Sequence, residues 1–273
     1  MTTLSKNYDP LVLQPKDRQL IEYLATDFVL LTSTQIRELF PGRAVRRTNF
    51  RLRKLVRAGY LSRRFPTGIL LSHTSLYYLG PRATEALGLD PADPALRLRR
   101  KQALQLRDGV LPHFLLVNTV HIKFLTAARQ YPDYELSNWI PQYAPIWNTL
   151  NQYGFPLRPD GYAECRQAAQ VSHFFIEVDC GTERGSLIQQ KLAAYADYAR
   201  SQRFQAQFSA PDFRVLFILP SRRRARQILP LMRRMPSDLF AVSTVDDFLK
   251  QGLLESHWGI ADSDVPQALI ISL

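Results

Sequence analysis

Apolar residues recur at helical spacing between Pro15 and Thr26, with Leu20, Ile21 and Leu24 on one face. Thr32-Ser33-Thr34 then offers hydroxyl groups that cap a helix start, and a short helix is expected over 34–40, closed by Pro41-Gly42. A third helix is expected from 43 to 58, with Gly59 to end it. Two strands follow, 61–65 and 75–79, around the turn-forming Pro66-Thr67-Gly68, and a further helix covers 81–87. Helix, helix, helix, strand, strand, helix is the order of a winged helix-turn-helix, expected over residues 1–90.

The pattern then changes. Gly88 to Pro94 reads as a linker, and 96–107 as a basic helix bridging two halves, so that 91–109 separates the first domain from a second at 110–273. There a long apolar helix (111–129) precedes strands near 134–140 and 157–165, with a Pro/Asn/Tyr-rich loop between them. The clearest strand is 173–180. A helix (184–200), an apolar strand (213–219), a basic helix and a short strand (239–243) complete the chain. This alternation predicts a mixed sheet flanked by helices, and an α+β or α/β class overall.

Composition narrows the function. Apolar residues make up 46% of the 273, enough for two cores. No run reaches the ~18 consecutive apolar residues of a membrane span, and the N-terminus lacks the apolar stretch of a secretory signal. Cys165 and Cys180 form no disulfide framework or CxxC pair. A cytoplasmic protein without membrane contact is the expectation. The net charge is +11, and it is segregated: residues 1–109 carry 19 Lys/Arg against 9 Asp/Glu, residues 110–273 carry 16 against 15. A polyanionic partner for the first half follows from that asymmetry.

The predicted third helix gives the polyanion a place. A helical wheel puts Val45, Thr48, Leu52, Leu55 and Val56 on one side, and Arg43, Arg46, Arg47, Phe50, Arg53, Lys54 and Arg57 opposite, with Arg51 at the edge. No acidic residue occurs between Leu39 and Thr84. Like charges at i,i+4 repel, so a face of cations alone needs an outside anion, and the DNA backbone supplies one. Arg46, Arg47 and Asn49 stand where a recognition helix meets base edges of double-stranded DNA; Arg63 and Arg64 flank the wing.

The second half carries carboxylates inside an apolar strand, His173-Phe174-Phe175-Ile176-Glu177-Val178-Asp179. Side chains alternate along a strand, so Glu177 and Asp179 share one face, and carboxylates are rarely buried unless paired or bound to metal. Arg158-Pro159-Asp160-Gly161 precedes them. Lys191 lies in the inward stripe of the 184–200 helix with Arg184, Ile188, Leu192, Tyr195 and Ala199, and wants a buried anion. His113 and His121 lack zinc-protease spacing, no phosphate-binding glycine motif occurs, and the run Ser221 to Arg226 reads as a solvated basic face.

Pro159-Asp160, Glu177-x-Asp179 and Lys191-x-x-x-Tyr195, in this order, resemble the PD-(D/E)XK restriction-endonuclease-like superfamily. With the N-terminal winged helix, the chain resembles the replication-relaxation family of bacterial plasmids and integrated elements over roughly residues 15–250. The resemblance implies Mg²⁺ on Asp160 and Glu177, with Lys191 and Tyr195 completing a catalytic set that includes Asp179. Asp179 stands where the superfamily has lysine, and Lys191 on the following helix is the substitute; the alternative is a degenerate site with Asp179 paired to Lys191 or Arg184. Three functions fit. One is a DNA-binding protein of a plasmid or mobile element in replication, transfer or regulation, working with other replication or transfer proteins. The second is a Mg²⁺-dependent endonuclease or nickase aimed by its winged helix. The third is a transcription regulator acting as a homodimer on a palindrome.

Overall fold

The computed structural model describes residues 8–42, 44–67, 74–152, 154–155, 157–181, 183–236, 238–255 and 258–260; Arg43 and Gly68 lie outside these. The chain forms two compact units, Met1–Ile122 and Lys123–Leu273.

Unit 1 contains α1 (Pro15–Thr26), β1 (Leu31–Thr32), α2 (Ser33–Leu39), α3 (Val45–Arg57), β2 (Leu61–Arg64), β3 (Leu76–Leu79), α4 (Ala83–Leu87), α5 (Pro94–Gln105) and the first part of α6 (Leu111–Ala127). The strands form an antiparallel sheet of order β1-β3-β2. α2 is capped by Thr32, whose hydroxyl accepts from Gln35 N at 3.1 Å while Gln35 Oε1 accepts from Thr32 N at 3.0 Å. This reciprocal box satisfies two orphan amides and starts the helix earlier than the sequence suggested. The hairpin is held close to the end of α3, because a Cβ on Gly80 would come within 2.2 Å of the Gly59 carbonyl oxygen.

α3 buries Thr48, Leu52 and Leu55. Its rotation is fixed by Arg51, whose Nε lies 3.1 Å from both carboxylate oxygens of buried Asp17 on α1, and whose Nη2 also donates to Val12 O at 2.8 Å. Two residues depart from the sequence reading. Val45, expected on the buried face, is exposed because it opens the helix, where no preceding turn covers it. Arg64, expected to reach DNA, turns back to donate to Leu106 O at 2.8 Å, while Arg63 is exposed.

The division between units falls within α6, later than the 109/110 boundary read from the sequence. α5 is part of unit 1 and not a bridge: Arg99 Nε donates to Ala25 O at 3.2 Å. On α6, Asn118 Nδ2 donates to Leu30 O at 2.8 Å, and Leu115 O accepts from Gln35 Nε2 at 2.7 Å. Segment Asp108–Ala127 is long and apolar enough to suit a membrane by length and composition alone. Its buried amide and imidazole (Asn118 and His121) are those of a packed helix.

Unit 2 contains β4 (Tyr134–Pro141), α7 (Ile146–Gln152), β5 (Gly161–Gln167), β6 (Gln170–Val178), α8 (Gly185–Arg200), α9 (Arg203–Phe208), β7 (Arg214–Leu219), α10 (Arg222–Met232), β8 (Phe240–Thr244), α11 (Val245–Glu255) and β9 (Gly259–Ile260). The sheet runs β4-β5-β6-β7-β8-β9, with β6, β7 and β8 parallel and the other pairs antiparallel. It is the expected mixed sheet flanked by helices. α7 occupies the predicted loop, because Trp147 and Leu150 enter the core from it. The same core takes Phe175, Val215 and Phe217 from the sheet, Leu192 and Tyr195 from α8, and Ile228 and Met232 from α10. The parallel strands end at one edge, where α8 and α10 begin.

Arg51→Met leaves Asp17 buried without its cation and is expected to destabilise unit 1 by about 3–5 kcal/mol, whereas exposed Arg53→Met changes stability by less than about 0.5 kcal/mol. Urea unfolding followed by circular dichroism distinguishes them; equal small losses would show that the ion pair does not set the packing of α3.

Candidate active site

Asp160 and Glu177 meet at the edge where β5 begins and β6 ends. Gly161 pairs with Ile176, and one further step in that register sets Asp160 beside Glu177. Gly161 is required here: a Cβ would lie 2.6 Å from the Trp139 ring. Asp160 is buried; its Oδ2 accepts from Val178 N at 2.8 Å and its Oδ1 from Gln142 Nε2 at 3.1 Å.

Glu177 is 3% exposed, after the buried apolar run Phe174-Phe175-Ile176 of β6. Its Oε2 accepts from Lys191 Nζ at 2.8 Å and its Oε1 from the Tyr195 hydroxyl at 2.6 Å, both from α8. Lys191 also donates to Glu183 Oε1 at 2.7 Å. Burial, and then the charge of Asp160, push the Glu177 pKa up to about 7, while Lys191 and Tyr195 oppose the rise. For Lys191, burial pulls downward, but Glu177 and Glu183 outweigh it and hold the ammonium charged. Burial and the neighbouring Glu177 raise the Tyr195 phenol well above its ordinary range, so it remains a donor.

Asp160 and Glu177 thus stand on neighbouring strands, and Lys191 and Tyr195 both bond to Glu177. Asp179 is not paired with Lys191 or Arg184. Its Oδ2 accepts from Arg224 Nε at 2.7 Å and its Oδ1 from Gly181 N at 2.6 Å. Arg224 also donates through Nη2 to Glu183 O. Arg224 lies in the run read as a solvated basic face, and that reading fails at this position: the residue is only 16% exposed in its side chain and forms an ion pair. Gln142, Glu183 and Arg224 were missed as site neighbours. Only Arg224 left a trace in sequence, as a cation one helical turn inside a helix with an apolar face.

Among the described residues no group of three or more His, Cys, Asp and Glu is arranged to hold a metal ion. Asp160 and Glu177 are the pair that could hold one. They offer carboxylate oxygens, and burial first, then the charge of Asp160, raises the Glu177 pKa. Hard cations such as Mg²⁺ commonly take one or two carboxylates and complete their shell with water and phosphate.

In unit 1, Arg46, Asn49, Arg53 and Arg63 line one cleft of about 700 Å³ with Thr32, Ser33, Thr34 and Tyr77. Arg47, Lys54 and Arg57 are exposed on the same helix. Phe50 is half exposed, and Lys54 Nζ sits 4.8 Å from its ring centre.

Tyr195→Phe removes a donor from a buried carboxylate and should cost about 1.5–3 kcal/mol at pH 8. That bond favours ionised Glu177, so its loss raises the Glu177 pKa further, and the cost shrinks at pH 6, where the carboxyl is protonated in both proteins. Urea midpoints at the two pH values check this; equal losses would mean that the Glu177 charge does not enter the bond.

No curated protein matches the chain. Among solved structures, the restriction endonuclease FokI is similar at a TM-score of 0.36 and 12% identity, over 87% of this chain and 43% of that one. FokI bound to DNA is similar at 0.29 and 13% identity, over 86% and 43%. The chain spans less than half the length of those FokI chains. The replication-relaxation family model matches residues 24–210, well over half of the sequence, and the chain belongs to the replication-relaxation family.

Proposed function

We propose that the protein binds double-stranded DNA of a plasmid or other mobile element through unit 1, read as a winged helix-turn-helix, and hydrolyses phosphodiester bonds at Asp160 and Glu177 of unit 2. The carrying observation is the pair of buried carboxylates on neighbouring strands, with Glu177 held by Lys191 and Tyr195 and pushed toward neutrality by burial and by Asp160. Burying two acids together costs free energy, and perturbed carboxyl groups cluster at functional sites.

Asp160 and Glu177 would hold Mg²⁺, which supplies an activated water and neutralises charge at the reacting phosphate. Lys191 stays protonated between Glu177 and Glu183, placed to donate to a phosphate oxygen as charge grows there. Tyr195 is a positioning residue that orients Glu177. Asp179 acts on α10 through Arg224 and touches no reacting group. In unit 1, Arg46, Arg47 and Asn49 read base edges, while Phe50, Arg53, Lys54, Arg57 and Arg63 follow the backbone. A cytoplasmic location and work beside other replication or transfer proteins accord with this role.

A second reading has its own support. Every carboxylate oxygen of Asp160 and Glu177 already accepts a hydrogen bond, as in a closed network that holds a fold without chemistry. Unit 2 would then be a binding or assembly module.

Supercoiled plasmid incubated with Mg²⁺ or Mn²⁺ separates the two. Wild type is expected to yield open-circle or linear DNA, and Asp160→Asn or Glu177→Gln to fall to background. No cutting by the wild type, with duplex binding intact, would overturn the hydrolytic reading and favour the closed network. Arg46→Ala with Arg47→Ala should weaken specific binding at least about tenfold, since one good bidentate base contact is worth about 1–3 kcal/mol. Unchanged affinity across several salt concentrations would remove these residues from the interface.

A further inference from the structure

α10 has an unusual first turn. Arg222, Arg223 and Arg224 open it, Arg226 follows, and no acidic residue occurs between Ser221 and Met235. The amides at a helix start already carry partial positive charge, so cations there cost free energy unless anions answer them. Two anions do. Asp179 pairs with Arg224 at 2.7 Å, and Asp247 pairs with Arg222 at 3.2 Å. Arg223 and Arg226 are exposed, and among the described residues neither side chain has an ion pair or hydrogen bond.

Arg224 sets where these two point. Its guanidinium is locked to Asp179 and to the Glu183 carbonyl, while Ile228 and Met232 bury the same side of the helix. At 100° per residue, Arg223 and Arg226 fall on the opposite, solvent-facing stripe. The contact between Arg224 and Glu183 also joins the start of α10 to the start of α8. Arg184 follows Glu183 directly; it is exposed, and its side chain likewise has no ion pair or hydrogen bond among the described residues. Three uncompensated arginines therefore stand at the edge of the sheet that carries Asp160 and Glu177.

We infer that Arg184, Arg223 and Arg226 form a second DNA-backbone surface, on unit 2 itself, which grips phosphates beside the one presented to Asp160 and Glu177. This rests on the proposed DNA-handling role and extends it: unit 2 does not depend on unit 1 for all of its hold on the substrate. The ligand is the phosphodiester chain. Three guanidinium groups bind it by charge, and contacts to phosphate carry no sequence information directly.

The test uses the full chain and a fluorescent duplex, with affinity measured by anisotropy over a range of salt concentrations. Each lost phosphate contact lowers the slope of log K against log salt by about 0.9, so Arg223→Ser with Arg226→Ser should lower it by nearly two. Arg223→Lys with Arg226→Lys should keep the slope. Arg166→Ser with Lys250→Ser, an equal loss of charge elsewhere on unit 2, should leave it within error. In an Arg46→Ala, Arg47→Ala background, the serine pair should lower the slope by the same amount, since the two surfaces are separate. An unchanged slope in the serine pair, or an equal fall in the Arg166/Lys250 control, would overturn the surface. Failure of the wild type to cut plasmid would count against the hydrolytic reading alone, because the slope is read without metal.

Discussion

Glu177 is the constraint around which unit 2 is arranged. A carboxylate at 3% exposure after a buried apolar run is stable only if its oxygens are answered, and the answers come from one helix. Lys191 and Tyr195 stand four residues apart on α8, one turn of a single face, so both reach Glu177 only when α8 takes one rotation over the sheet. That rotation also sends Ile188 and Leu192 into the core beside Phe175 and Phe217. The polar and apolar demands on α8 agree, which is the consistency across levels that lets a sequence specify one packing.

Asp179 does for α10 what Glu177 does for α8. The two carboxylates share the side of the sheet on which both helices pack, as strand alternation required, yet each is met by a different helix. β6 ends at Val178, and the chain turns through Gly181 at φ +84, so Asp179 is free of the ladder's far side and accepts both the Gly181 amide and Arg224. Asp179 is thus an anchor for α10, while the cation that meets Glu177 comes from α8.

Much of this was legible in the chain because it is periodic. The buried face of α3, the apolar strands and the Lys191–Tyr195 stripe all repeat at 3.6 or 2 residues, and periodicity survives without tertiary information. What was not legible depends on partners distant in sequence. Arg64 finds Leu106 O, Arg51 finds Asp17, and Arg224 finds Asp179 across 45 residues. In the sequence each is one more cation in a basic run, and nothing local separates a guanidinium that binds a buried carboxylate from one that faces water. α7 failed for a different reason: seven residues are too few to establish a period, and its two core residues outweigh the Pro and Asn around it.

The same distinction alters the meaning of net charge. Residues 110–273 are nearly neutral in sum, and a count alone makes them an unpromising surface for a polyanion. A count gives equal weight to charges that are not equally placed. Asp160, Glu177 and Asp179 are buried and committed to donors inside the fold, so they do little to screen cations in solvent. Arg184, Arg223 and Arg226 remain outside with no such commitment among the described residues. All three stand exposed at the starts of α8 and α10, and the placement of exposed charge, more than the sum over the chain, decides what a polyanion meets.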